Sequence, residues 1–361
     1  MKFNELNKIP VRTGKKQKVN DITIEMNDVQ IEKFETLNIK SNEVKGLEIK
    51  ALDKSDAKLS VALRYGVGEQ LMKEANENFT NGVLVTLADN TVVEENIILE
   101  FKMDENNKTL VDNIVVVAGK NSKANIIVKY ISVDSLEGYH NGICRIFAEE
   151  NANIRVTKVN LLGKNVRTFD SNMSEVKDNA KVDFIAIELG GKSAISNYEG
   201  ILLGEKSKGD LLSVYIGTDD EKIDLNYVMT IKGKKSDCNM DIKGALRDKA
   251  VKNFKGTLDF KRGAKGSKGA EEEFCMLLSD KARSRSVPLL LCDEDDVSGE
   301  HAAASGSIDE NKLFYLMSRG ISYDDARLLI INAAFNPIVD EIKDEEIQNE
   351  ILGYIKERIN S

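Results

Sequence analysis

A polar turn closed by one small residue recurs through the middle of the chain and restricts its possible folds more than any other feature. Ser122-Lys123-Ala124-Asn125-Ile126, Asn151-Ala152-Asn153-Ile154, Asp178-Asn179-Ala180-Lys181-Val182, Ser207-Lys208-Gly209-Asp210-Leu211 and Ser236-Asp237-Cys238-Asn239-Met240 share it. Each runs turn, small residue, polar residue, then alternating apolar positions. The small residues Ala124, Ala152, Ala180, Gly209 and Cys238 stand 28, 28, 29 and 29 residues apart. A period that regular marks a solenoid, in which each coil stacks on the one before. A bulky side chain at the tight turn would push the layers apart, and the period-2 strands turn one face inward and one to water. A β-sandwich with evenly spaced turns is the competing architecture, but five turns of one composition exceed what it requires. Later turns at Ala250, Gly269 and Ala282 keep the small residue and read as a shortened spacing.

Flanking segments have other periods. Gly82–Leu87, Ile97–Phe101 and Ile114–Val117 read as short strands bounded by Asn, Gly, Asp and Lys. Before Asn76 the chain is mixed: Lys15-Lys16 and Lys18 interrupt early order, Asp28 to Ile39 is weakly periodic, and Leu47–Leu52 alternates like a strand. After Ser305 the pattern is helical. Ser307-Ile308-Asp309-Glu310 reads as a capping box, Leu313, Leu316 and Met317 as an apolar stripe, and Gly320 as a left-handed stop. Ser322 starts a second helix expected to end before Pro337, and Ile347, Ile351 and Ile355 define a third. The expected organisation is an N-terminal segment (1–75), a parallel β-helix core (76–305) and a C-terminal helical domain (306–361) capping the open end of the solenoid.

Composition narrows the function. The net charge is −9 and the pI about 5.2, which argues against nucleic acid as the main partner. Aromatic residues make up 6% of the 361 residues and tryptophan is absent, so stacking platforms are few. The start, Met1-Lys2-Phe3-Asn4-Glu5, has no apolar signal region, and the longest uncharged apolar run, Val287 to Cys292, is too short to span a bilayer. Cys144, Cys238, Cys275 and Cys292 form no Cys-x-x-Cys pair; reduced thiols and a cytoplasmic location are expected.

Chemistry concentrates in the stretch from Cys292 to Gly306, where acids, a histidine and small residues meet between strand and helix. Two other stretches are decoys. Ala186–Ser193 fits a permissive phosphate loop but is followed by strand residues rather than a helix. The basic, glycine-rich Lys261–Gly269 is offset at once by Glu271-Glu272-Glu273 and reads as a solvated turn. Asp293-Glu294-Asp295-Asp296 lacks the ligand spacing of a calcium loop. His140 reads as a satisfied histidine. His301 follows Glu300 in a small-residue segment open to another backbone, and imidazole suits iron or zinc, with the carboxylate supporting or co-ligating.

From about Asn76 onward these residues resemble the SufB/SufD family of iron–sulfur cluster assembly scaffolds. The likeness is carried by Asp295-Asp296-Val297 through Glu300-His301-Ala302, by Leu313–Ile321, and by Asn81–Leu87 with Val92-Val93-Glu94, where Ala88 and Asn96 replace the usual prolines. It implies a right-handed parallel β-helix between helical end segments. It also implies a non-catalytic scaffold that pairs with a SufB-like subunit, or with its own copy, and recruits a SufC-like ABC-type ATPase through its C-terminal helices. A transient iron–sulfur cluster would form at the subunit interface from sulfur supplied by a cysteine desulfurase. The SufB interface cysteine is matched by Ala282 and its sulfur-accepting cysteine falls near Asp134, whereas the SufD histidine matches His301. These departures favour a SufD-like chain; Glu300 beside His301 is more SufB-like. The expected cluster contacts are His301, as metal ligand, and Glu300. The rival function is a β-helix carbohydrate lyase or hydrolase using Asp295, Asp296 and Glu300, which the missing signal and scarce aromatics disfavour.

Overall fold

The computed structural model describes residues 2–9, 11, 19–20, 22–27, 29–55 and 66–360. The break in order read at Lys15-Lys16 and Lys18 lies outside the described residues. The N-terminal elements are β1 (Lys2–Phe3), β2 (Ile24–Glu25), β3 (Leu37–Lys40), β4 (Leu47–Ala51) and helix α1 (Glu69–Glu77). The solenoid opens with β5 (Asn81–Leu87), β6 (Ile97–Met103), β7 (Thr109–Ala118), β8 (Lys123–Ser132), β9 (Tyr139–Ala148) and β10 (Asn153–Leu161). It continues through β11 (Arg167–Val176), β12 (Lys181–Glu188), β13 (Ser193–Leu202), β14 (Lys208–Gly217) and β15 (Lys222–Ile231). The last coils hold β16 (Asp237–Leu246), β17 (Val251–Phe260), β18 (Ser267–Leu277), β19 (Arg283–Cys292) and β20 (Val297–Ser307). Helices α2 (Glu310–Ser318), α3 (Tyr323–Val339) and α4 (Glu345–Asn360) complete the chain.

Alternate strands enter two nine-stranded sheets, one running from β3 and β6 to β20 and the other from β4 and β5 to β19. Within these two sheets every described pairing is parallel except β3 on β6 and β4 on β5, so the N-terminal segment supplies the first rung of both, while β1 and β2 form a separate antiparallel pair. This is the parallel β-solenoid expected from the recurrence. Between the sheets lies one continuous apolar core, including Ile126, Val156, Phe184, Leu211, Met240, Leu258 and Phe260.

The repeat register differs by two residues from the sequence alignment at two steps. Ala124 stands beside Ile154, then Val182, Gly209, Cys238, Gly269 and Gly299. The stacked small-residue column is instead Ser122, Ala152, Ala180, Ser207, Ser236 and Ser267, linked by amides of the next coil donating to their carbonyls. A two-residue slip returns each side chain to the same face of a strand, so alternation could not detect it. The late shortening also has another origin. Ala250 and Ala282 precede β17 and β19 of the second sheet while Gly269 belongs to the first, so two columns were merged.

Ahead of Thr91 and of the small residues from Ser122 to Ser236 sits a residue in the left-handed region, Asn90, Asn121, Asn151, Asn179, Lys206 and Lys235, with φ between 55° and 63°, and Gly266 at φ 75° precedes Ser267. Asparagine tolerates this conformation because its side chain bonds locally. Here Asn151 donates from Nδ2 to Asn121 Oδ1 at 2.9 Å, and Asn121 likewise to Asn90 at 3.0 Å.

Contrary to expectation, the C-terminal helices do not cap the open end. Helices α3 and α4 lie along the outer face of the first sheet, and α2 packs against α3. Ile331, Phe335, Ile338, Ile347, Ile351 and Ile355 pack there against Val159, Leu161, Ile185, Ile187, Val214 and Ile216. Those strands are apolar on both faces, so the outer face must be covered, and each buried isoleucine contributes about 2 kcal/mol. Ser307 belongs to β20; the cap of α2 is Asp309, whose carboxylate accepts from the amides of Asn311 and Lys312. Ser322 caps α3, which runs through Pro337 to Val339. Proline in the last turn forfeits one hydrogen bond, a loss the buried Ile338 and Val339 offset. Gly320 has φ 87°, the left-handed stop expected after α2.

The outer face of the second sheet carries buried polar groups and is covered by the N-terminal segment. Asn7 donates to Asp224 Oδ1 at 2.7 Å, Lys255 donates to the Asn7 carbonyl at 2.7 Å, and Asn141 donates to Glu74 of α1 at 2.6 Å. The N-terminal segment is thus tied down by hydrogen bonds as much as by apolar contact.

Candidate functional site

The last coil leaves the free edges of β19 and β20 unpaired among the described residues. β20 is eleven residues of mostly small side chains, nearly all exposed, with His301 at its middle. A long exposed edge is a template on which another strand can add. His301 stands beside Glu271 of β18, and Glu300 beside Ala270. Glu271, Glu273 and Cys275 alternate inward whereas Glu272 and Phe274 alternate outward, so His301 lies on the lumen face at the open end and Glu300 on the outer face. Strand geometry therefore sends the two site residues named from sequence to opposite sides of β20.

Beneath His301 the lumen is polar, as it is again several coils further in, where His140, Asp112, Lys158 and Asp170 hydrogen-bond among the apolar side chains. Lys252 donates to Glu273 at 2.7 Å and to Ser286 at 3.1 Å, Ser286 donates to Glu273 at 2.9 Å, and Tyr215 donates to it at 2.7 Å. That carboxylate is fully satisfied. Glu271, one alternation away, is 2% exposed, and neither of its oxygens has a hydrogen-bond partner among the described residues. Burial, with Glu273 nearby, pushes its carboxyl up to about 8. Glu271 and Glu273 escaped the sequence reading, which took the Glu271–Glu273 run as charge balance. Aligning Gly269 with Cys238 places both on the inward face, the signal that would have found them.

Other named residues fall elsewhere. The acidic turn stacks on the basic turn of the coil below: Glu294 accepts from the Gly263 amide at 3.0 Å, Lys261 pairs with Asp293 at 3.4 Å and Lys265 with Asp296 at 4.0 Å. The two charge runs thus meet across adjacent coils. His140 is a satisfied lumen histidine, its Nε2 2.7 Å from Asp112 Oδ1 and its Nδ1 2.7 Å from Thr168 Oγ1. The phosphate-loop-like stretch is followed by β13, with no helix N-terminus to receive an anion. Cys144, Cys238 and Cys275 are buried and Cys292 is exposed; Ala282 is buried at the turn into β19. Among the described residues no three His, Cys, Asp or Glu side chains gather where they could hold a metal ion. No described helix is long and apolar enough to cross a membrane.

On the flank, α2 has no buried residue, and Phe314 is 73% exposed. Tyr315 and Leu316 of α2 and Leu329, Ile330 and Ala333 of α3 line an apolar groove between the two helices.

Comparison with known proteins joins these features. Residues 101–334 match the family model described as SUF system FeS cluster assembly, SufBD core domain. An iron-sulfur cluster assembly protein SufD of Bacillus subtilis is 27% identical over 280 residues, 77% of this chain and 64% of that protein. A SufBD family protein of Mycobacterium tuberculosis is 26% identical over 206 residues, 57% of this chain and 24% of that protein. One from Staphylococcus epidermidis is 24% identical over 265 residues, 73% and 57% of the two chains. The chain thus spans less than two thirds of the length of each of these relatives. The matched region runs from β6 into α3, across the polar lumen, the free edge and the histidine at its centre, and on that match the chain belongs to the SufBD family of iron–sulfur cluster assembly proteins.

Proposed function

We propose that this chain is a SufD-like, non-catalytic scaffold subunit of cytoplasmic iron–sulfur cluster assembly. Its free β19 and β20 edges receive a SufB-like subunit, and a transient cluster, built with sulfur from a cysteine desulfurase, forms at that interface. The observation that carries this reading is His301, on the lumen face of an unpaired edge strand within the family's core region. Ala282 and Asp134 at the two SufB cysteine positions support the SufD-like assignment. Glu300, on the outer face of β20, is positioned to meet the partner rather than to share a ligand site with His301 in the same chain. The groove between α2 and α3 is the docking surface for a SufC-like ABC-type ATPase, whose nucleotide-driven dimerisation would shear the paired scaffolds and open their interface.

The test is anaerobic reconstitution of the chain with a SufB-like subunit, the ATPase, iron and sulfide. His301→Ala is expected to lose most of the cluster absorbance. Unchanged absorbance and cluster stability would remove His301 as a ligand, and failure to co-purify with the ATPase under native conditions would count against the scaffold assignment as a whole.

A further inference from the structure

Glu271 is a buried carboxyl without a hydrogen-bond partner, and such groups are rare because desolvation costs several kcal/mol unless something compensates. The neighbouring lysine does not compensate it: Lys252 is committed to Glu273 and Ser286. Space has nevertheless been kept for the carboxyl. It reaches across the lumen to β17, where Gly256 faces it and a Cβ would overlap its oxygens. Burial and the nearby Glu273 push this carboxyl up to about 8. The rung directly above it, on the next strand β20 towards the open end, is His301, on the same inward face. Neighbouring strands in a sheet lie about 4.8 Å apart, so a cation held by the imidazole comes within a side chain's reach of this carboxyl.

We propose that Glu271 is a second metal ligand, which with His301 forms a two-donor half-site for a divalent cation, ferrous iron in use, completed by ligands from the subunit across the open end. The inference rests on the cluster-scaffold reading of His301 and adds the donor one coil further in. Nitrogen and carboxylate oxygen together suit a borderline divalent ion. No third such donor joins them among the described residues, so the remaining ligands would come from the partner subunit or solvent. On binding, the carboxyl gives up its proton to solvent as the metal–oxygen bond forms, so charge balances without another reactant.

Cobalt(II) alone serves as the probe, titrated into the chain and followed by visible absorption. Glu271→Gln, isosteric with the neutral acid, is expected to weaken cobalt binding at least tenfold, as is His301→Ala, while the outward-facing Glu272→Gln leaves it within twofold. If His301→Ala weakens binding and Glu271→Gln does not, Glu271 is no ligand and the His301 assignment survives. If neither variant changes it, both fail. A thermal melt checks that each variant is folded. One measurement needs no substitution: in the cobalt-loaded wild-type chain the Glu271 side-chain methylene protons should carry paramagnetically shifted resonances, and their absence overturns the proposal.

Discussion

Arg358 of α4 and Glu221, at the turn into β15, meet through two parallel contacts of 2.8 and 2.5 Å, although 137 residues separate them. Both side chains are buried. Burial pushes the Glu221 carboxyl up even against the pull of the guanidinium. Arg358→Ala leaves that buried carboxylate the Thr218 amide but not its cation, and is expected to cost about 3–5 kcal/mol in urea unfolding at neutral pH. Arg358→Ala with Glu221→Ala should be less destabilised than Arg358→Ala alone. A double variant at least as unstable as the sum of the singles would mean that the pair does not couple α4 to the solenoid.

The asparagine ladder predicts a graded response at one turn. Asn151 has φ 59° and donates to Asn121. Asn151→Ala retains a Cβ in the left-handed region and loses the side-chain bond, for an expected loss of about 1–2 kcal/mol. Asn151→Gly loses the bond but not the permissive backbone, so its urea midpoint should fall between those of the wild type and the alanine variant. Equal midpoints for the two variants would show that the left-handed turn carries no cost here.

Much of the fold is legible because stacking repeats the same demand every coil. Alternation marks the strands, small residues mark the turns, and Ser322, Gly320 and the Ile347–Ile351–Ile355 stripe mark the helices. Register is not legible from faces alone, since Ala124 and Ser122 point the same way and either can be aligned with Ala152. The left-handed column would have settled it, but it changes from Asn179 to Lys206, residue types that share the backbone and little else. The place of the helices is hidden for another reason. A helix with an apolar stripe says that it packs, not on what, and the information lies in Val159, Ile187 and Val214 being apolar on the outward face. At the site, His301 stands out as a rare residue type, whereas Glu271 is one of 60 acids and is distinguished only by which way its strand turns it.

The four cysteines should separate cleanly by reactivity. Burial pushes the Cys144 thiol up to about 12 and raises Cys238 and Cys275 as well. Raising a thiol's pKa removes the reactive thiolate at neutral pH, and burial blocks access besides. Cys292 is exposed, though burial and the nearby Asp259 and Asp293 raise it too. Iodoacetamide at pH 8 should therefore add one group to the native chain, at Cys292, with a rate that climbs as pH rises. All four should react in denaturant. Native labelling of Cys275 in mass spectra would show that the polar lumen opens to solvent from the free end.

The flank offers the last test, because its apolar groove can be altered without touching the core. Leu329 and Tyr315 face each other across that groove on two helices, and both are exposed. An exposed apolar side chain contributes little to the fold of the isolated chain, so Leu329→Asp should leave the melting temperature within a few degrees of the wild type. The same charge placed in a docked interface would be desolvated without a partner, costing about 2–5 kcal/mol of binding, or roughly thirtyfold and upward in Kd. On the docking proposed above, capture of an ABC-type ATPase by Leu329→Asp should be lost in a pull-down that the wild-type chain passes, while the proposed pairing with a SufB-like subunit through β19 and β20 should persist. Loss of both interactions would point to misfolding. Retention of both would move the ATPase site elsewhere, and the free surface of α4 would then be the next face to probe.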